Sequence, residues 1–347
     1  MTTALRETPA GDPVVTTRGL VRDYGNGAGL HGIDLAVPRN RVFGLVGPNG
    51  AGKTTLLSIL AGLRRADAGQ VLVGVPAGRT AVCPDTPEFE PWLTAAEVVG
   101  QSRGLAYPRR RRALAADRTP TGGPAADGPA SPEPIADVLA RVGLADAARR
   151  RVGGFSRGMT QRLGLAVALA LDPDLLILDE PTSALDPAGR ADLLGLVGGL
   201  AGERTVIFSS HILADVQRVA DHIAVLDHGR LLFQGPMQAL IDTHTKPAWE
   251  IRVRGAAGDL AARLRAADWV TAVDVDENTA SEDATTIRVE GMSTGAGEAG
   301  LPAVLAAANV RLVSINPVGA DLEAAFLALT DGDHNAPDTP NESGTSQ

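Results

Sequence analysis

The 347-residue chain carries 32 Lys and Arg against 41 Asp and Glu, a formal net charge of -9; phosphate backbones select basic surfaces, so nucleic acid is not expected as a stable partner. A single cysteine, Cys83, excludes an internal disulfide. The opening "MTTALRETPAGDP" is polar and broken, and no run of about 18 to 20 uninterrupted apolar residues follows, so neither a secretory signal nor a membrane span is expected.

In chain order, the first ten or so residues read as disordered, and "PVVTTRGLVRDYG" and "HGIDLAVP" as strands of an edge sheet. "RVFGLVG" is a buried strand, and "KTTLLSILAGL" a helix with Leu56, Leu57, Leu60 and Leu63 on one apolar face. The basic run Arg109 to Arg112 reads as a solvated face, with lipid headgroups as the minority alternative. The Pro/Gly/Ala-rich stretch after it reads as a flexible insertion, about 108–134. A helix returns from Thr160 to Leu171, "LLILD" is a strand, and "DPAGRADLLGLVGGL" is a helix capped by Asp186 with Pro187 at its first position. "TVIFSS" is a further strand. Strands alternating with helices predict an α/β domain over residues 14–235. From 247 to 330 the order becomes strand, helix, strand, strand, helix, strand, which predicts a small α+β ferredoxin-like domain closed by "DLEAAFLALT". Residues 331–347 read as a disordered tail.

Two segments carry chemistry. "GPNGAGKT", Gly47 to Thr54, fits G-x-x-x-x-G-K-[ST] between a predicted strand and helix. Its backbone N–H groups at Asn49, Gly50, Ala51 and Gly52 can turn inward around phosphate oxygens, aided by the positive helix end. Lys53 supplies a mobile charge for the β and γ phosphates, Thr54 a hydroxyl for Mg²⁺, and Thr55 a further phosphate contact. "LLILDE" ends on two adjacent carboxylates, which a phosphate-bound metal and Lys53 would offset. Asp179 then faces the metal, and Glu180 is placed to orient or polarise the attacking water.

Over roughly residues 14–235 the sequence resembles the nucleotide-binding domain of ABC transporters. The resemblance rests on "GPNGAGKTT", on "FSRGM" where the family signature usually reads LSGGQ, on "LLILDEPTSALDP" and on "IFSSH". It implies a P-loop NTPase fold with an edge antiparallel sheet and a helical subdomain, here about 88–170. It also implies that Tyr24 stacks on adenine, that Ser156, Arg157 and Gly158 reach ATP on a second subunit, that Asp186 links the two sites, and that His211 holds the γ-phosphate and water. Where the family usually places Gln, this chain has Asp85; an aspartate can approach Mg²⁺ but has a shorter stem and no amide donor, so Asp85 is a candidate metal contact only. "FEPWLTAAEVV" is the candidate docking edge, with Phe89 and Trp92 as either exposed anchors or core residues.

The resemblance implies an Mg²⁺-dependent ATPase at the cytoplasmic face of a membrane. Its partners would be an integral membrane permease and a second, identical ATPase subunit, working as an exporter of drugs, antibiotics or lipids. Three alternatives stay open: an importer subunit, a soluble ABC ATPase acting on ribosomes or DNA, and a regulatory role for the C-terminal domain. Cys83 reads as a small packed residue.

Overall fold

In the computed structural model, which describes residues 12–76, 78–106, 133–244, 246–276, 284–318 and 322–334, the chain divides into two units, Met1–Pro236 and Met237–Gln347. The basic run 109–112 and most of the Pro/Gly-rich stretch lie outside the described residues, as do the first eleven residues and 335–347.

The strands β4 (Val42–Val46) and β7 (Leu175–Leu178) are buried at every position, the pattern of strands covered on both faces. They belong to a six-stranded sheet ordered β10-β9-β4-β8-β7-β6, with β6 Thr80–Cys83, β8 Thr205–Ser210, β9 His222–Asp227 and β10 Arg230–Pro236. Pairing is parallel except at β10, which runs antiparallel to β9. A second, antiparallel sheet places β1 (Val15–Gly25) against β2 (Ala28–Ile33), β3 (Ala36–Val37) and β5 (Ala68–Val73). One apolar cluster joins the two sheets through helix α1 (Lys53–Leu60), where Leu56, Leu57 and Leu60 pack with Val15, Leu20, Leu30, Ile33 and Leu45.

Leu63 does not continue the α1 face. The helix ends at Leu60, Gly62 takes φ 73°, and Leu63 is 73% exposed. Apolar spacing extended the expected helix by a turn, but a glycine in the left-handed region stopped it.

Helices α2 (Ala95–Ala106), α3 (Ile135–Arg141) and α4 (Arg157–Ala170) pack on one another. α2 starts on a reciprocal capping box: the Thr94 N–H and hydroxyl donate to the Glu97 carboxylate, and the Glu97 N–H donates back to the Thr94 hydroxyl. α4 begins three residues before the expected Thr160 because Ser156 caps it, accepting from the Met159 N–H at 3.3 Å. α5 (Pro187–Gly198) opens on Asp186, which accepts from the Gly189 N–H, and α6 (Leu213–Val219) follows β8.

In the second unit, α7 (Met237–His244) packs on α10 (Leu322–His334), which runs four residues past the expected end. Between them β11 (Ala248–Gly255), α8 (Ala257–Arg265), β12 (Val270–Asp276), β13 (Thr285–Gly291), α9 (Thr294–Ala307) and β14 (Val310–Val318) build an all-antiparallel sheet ordered β12-β13-β11-β14. Its core holds Trp249, Ile251, Val253, Leu260, Leu264, Ile287, Val289 and Leu301. α9 starts at Thr294, where only 301–308 reads as helical in the sequence, because Ser293 caps it. Two of its glycines, Gly297 and Gly300, sit against aromatic rings: a Cβ at Gly297 would lie 1.9 Å from Trp249 Cη2, and one at Gly300 2.1 Å from Trp269 Nε1.

Candidate active site

In the parallel sheet β8 lies between β4 and β7, with Val46 opposite Ser210 and Leu178 opposite Phe208. The segments leaving the carboxyl ends of these three strands therefore emerge side by side, at the edge where open α/β sheets bind ligands.

The loop after β4 is shaped by close approach. A Cβ at Gly47 would lie 2.2 Å from the Leu226 carbonyl oxygen, and Gly52, at φ 100°, would bring one within 2.7 Å of Leu30 Cδ2. Ala51 is buried, and its carbonyl accepts from the Gly229 N–H. Asn49 and Gly50 lie exposed at the loop's tip. Lys53 opens α1 almost fully buried; its Nζ donates to the carbonyls of Gly47 at 2.8 Å and Pro48 at 3.2 Å. Thr54 is exposed beside it, and Thr55 is half-buried. Tyr24 is 44% exposed. Burial raises the Tyr24 phenol pKa, but hydrogen bonds to Thr55 and Arg22 and the charge of Arg64 outweigh that and hold it below the ordinary phenol value. The Arg64 guanidinium donates to the phenolic oxygen.

From β7 come the paired carboxylates. Asp179 is buried and accepts from the Ser209 hydroxyl at 2.6 Å. Glu180 has φ 45°, a left-handed conformation that costs a non-glycine residue about 1 kcal/mol or more. Its N–H donates to the same Ser209 oxygen at 2.9 Å. One carboxylate oxygen stands 2.8 Å from His211 Nδ1, and the other 3.5 Å from Lys53 Nζ. Lys53, Glu180 and His211 thus converge through direct contacts. Beyond them, the buried Thr182 hydroxyl donates to Asp215 Oδ2 at 2.7 Å, with Arg190 Nε at 3.8 Å from the same oxygen.

Asp85 receives a 2.7 Å hydrogen bond from the Ser183 hydroxyl, and with Phe155, Arg157, Gln161 and Ser183 lines an open cleft of about 410 Å³. Ser156 and Arg157 are exposed at the head of α4, and a Cβ at Gly158 would lie 3.0 Å from Leu185 Cδ2, so Gly158 lets the start of α4 lie close to the segment between Glu180 and Asp186. Asp186 spends its Oδ1 on capping α5. Cys83 is buried, and that burial, followed by the nearby Asp179 and Asp85 charges, pushes its thiol up to about 12. Trp92 is exposed, whereas Phe89 is half-buried.

Ser209, Thr182 and Asp215 do not stand out in the sequence. The signal for Ser209 is a hydroxyl that directly follows the apolar run Val206–Phe208 in a fully buried strand.

The residues fit Mg²⁺ and a triphosphate: Gly47 and Gly52 let the loop fold tightly against Leu226 and Leu30, a buried ammonium faces that loop's carbonyls, and a buried carboxylate stands at the end of β7. Among the described residues no three His, Cys, Asp or Glu side chains form a metal cage.

Comparison with known proteins agrees with this arrangement. The ABC transporter family matches residues 30–183. The "Uncharacterized ABC transporter ATP-binding protein YxlF" of Bacillus subtilis (strain 168) is 35% identical over 65% of this chain and 72% of its own length. The "Daunorubicin/doxorubicin resistance ATP-binding protein DrrA" of Streptomyces peucetius is 30% identical over 94% of this chain and 95% of its own. The "Methionine import ATP-binding protein MetN" of Caulobacter vibrioides is 34% identical over 72% of this chain and 75% of its own. Among solved structures, an "ATP binding subunit of ABC transporter" superposes with a TM-score of 0.54 at 24% identity, covering 66% of this chain and 92% of that one. The chain therefore belongs to the ATP-binding proteins of ABC transporters. It is an ATPase, and its first unit has the P-loop ABC fold. No helix among the described residues is long and apolar enough to cross a membrane.

Proposed function

We propose that this chain is the Mg²⁺-dependent motor of an exporter, working as a pair of identical subunits on the cytoplasmic face of an integral membrane permease. The observation that carries the catalytic part is the Glu180 carboxylate held between His211 Nδ1 at 2.8 Å and Lys53 Nζ at 3.5 Å, at the mouth of the glycine loop.

In this reading Tyr24 stacks on adenine, and the N–H groups of Asn49, Gly50, Ala51 and Gly52 cradle the phosphates with Thr55. Lys53 exchanges its carbonyl and Glu180 contacts for the β and γ phosphates. Thr54 and Asp179 hold Mg²⁺, which when bound neutralises charge on the phosphate oxygens. Glu180 takes the proton of the attacking water, and His211, fixed by Glu180, holds that water and the γ-phosphate. Ser156, Arg157 and Gly158 complete the site of the second subunit, and Asp186 lies at the contact. Ser156 and Arg157 are exposed, as a segment serving another chain must be. Asp85, bonded to Ser183, ties the loop after β6 to the segment following Glu180 and so acts on the metal site indirectly.

Export is favoured over import because similarity to the drug-resistance protein runs through both units, over 94% of this chain, whereas that to the methionine importer covers 72%. The strand order of the second unit supports a ferredoxin-like domain, to which we assign a regulatory or dimer-supporting role. The test is Glu180→Gln. ATP binding should persist, turnover should fall about 10²- to 10⁴-fold, and the protein should become trapped as a nucleotide-bound dimer. Copurification with the permease, followed by transport in inverted vesicles, separates export from import. Unchanged turnover in Glu180→Gln removes the catalytic assignment.

A further inference from the structure

We propose that Ser209 is a positioning residue for hydrolysis, a single hydroxyl that sets the direction of both carboxylates; this rests on the catalytic reading of Glu180 given above. Ser209 has no exposed surface and stands at the penultimate position of β8, two residues before His211. Its Oγ donates to Asp179 Oδ1 at 2.6 Å and accepts from the Glu180 N–H at 2.9 Å. A hydroxyl can do both at once, whereas the other small side chains that fit a closed site cannot. The geometry explains how Glu180 keeps its φ of 45°. The Leu178–Phe208 register sets β7 beside β8, and the Ser209 oxygen pulls the Glu180 N–H toward β8. The backbone then turns through the left-handed region, and the Glu180 side chain leaves toward Lys53 and His211. Without the hydroxyl, a strained residue loses the bond that over-determines it. The buried Asp179 carboxylate also loses a donor. Neither loss removes a backbone N–H of the glycine loop or moves Tyr24, so nucleotide affinity should largely survive while the chemistry fails.

The experiment measures steady-state ATP hydrolysis, the Kd for a fluorescent ATP analogue and the thermal midpoint of the full chain for wild type, Ser209→Ala, Ser209→Thr and Glu180→Gln. The expected result is a kcat about tenfold to hundredfold lower for Ser209→Ala, the loss of two hydrogen bonds to a charged or strained group. Its Kd should stay within about threefold of wild type, and Ser209→Thr, which keeps the oxygen, should recover most of the rate. Equal losses in kcat and affinity, or a Ser209→Ala protein as active as wild type, would overturn the proposal. So would a Ser209→Thr protein with a wild-type midpoint and the alanine variant's rate. Should the threonine methyl prevent folding, the kcat-against-Kd split of Ser209→Ala decides alone. Wild-type turnover in Glu180→Gln marks failure of the catalytic reading itself, whereas an inactive Glu180→Gln beside a fully active Ser209→Ala refutes only the role of Ser209.

Discussion

Thr182→Val tests whether the segment after Glu180 is held from beneath. Thr182 is 1% exposed and Asp215 4% exposed, and their hydrogen bond of 2.7 Å joins the chain just beyond the paired carboxylates to helix α6, which follows His211. Valine keeps the branched shape and removes the donor, leaving Asp215 Oδ2 against a methyl group with Arg190 Nε 3.8 Å away. A hydrogen bond to a charged group contributes about 1.5 to 3 kcal/mol, and the lone buried oxygen moves the cost to the upper part of that range. In a unit of 150 to 250 residues each kcal/mol shifts the unfolding midpoint by about 2–4 °C, so a fall of roughly 6 to 10 °C is expected. Calorimetry of the full chain reads it, in the transition that added ATP moves upward. Asp215→Asn, which can still accept from Thr182 but gives up the charge facing Arg190, should fall less. A Thr182→Val midpoint within about 2 °C of wild type would refute the reasoning, as would a larger loss in Asp215→Asn.

Three further outcomes follow from contacts described above. Cys83 should resist alkylation by iodoacetamide at pH 8 until the chain is unfolded. With its thiol pushed from an ordinary 9.0 up to about 12, it should also make stability fall as pH rises across that interval, because the native state keeps a proton the unfolded state has lost; a Cys83→Ala control should show a shallower alkaline decline in urea unfolding. Gly297→Ala should destabilise the second unit by about 1–3 kcal/mol, since its new Cβ meets Trp249 at 1.9 Å; near-ultraviolet circular dichroism of the Trp249–Trp269 pair reports it. Asp85→Ala should lower turnover several-fold with the midpoint unchanged, because the bond to Ser183 is exposed, and Asp85→Asn, which can still accept from that hydroxyl, should restore it; equal loss in both variants would argue for a role of the charge itself.

What was legible in the sequence follows local signals. The glycine loop, Asp186 with Pro187, and the run of four apolar residues before Asp179 each announce a turn, a cap or a buried strand through residue types a few positions apart. Errors of extent arose where a cap or a glycine outweighed apolar periodicity: Gly62 cut α1 short of Leu63, and Ser293 started α9 well before the leucines that mark its buried face. β5 and β9 were not singled out, although β9 is a run of apolar residues ended by Asp227. The Ser209 bridge was invisible for another reason. It spans 30 residues of chain to Asp179 and depends on which strands become neighbours, information carried by sheet order and not by spacing.

The left-handed backbone at Glu180 carries a cost of its own. Glycine would occupy that φ of 45° without penalty, and the proline that follows makes the helical side of the map still less welcome to the glutamate. A search for hardier variants scored by heat resistance alone is therefore biased toward replacing the carboxylate. Engineering robustness into this cassette calls for selecting on hydrolysis at the same time, or the sturdiest survivors will be idle ones.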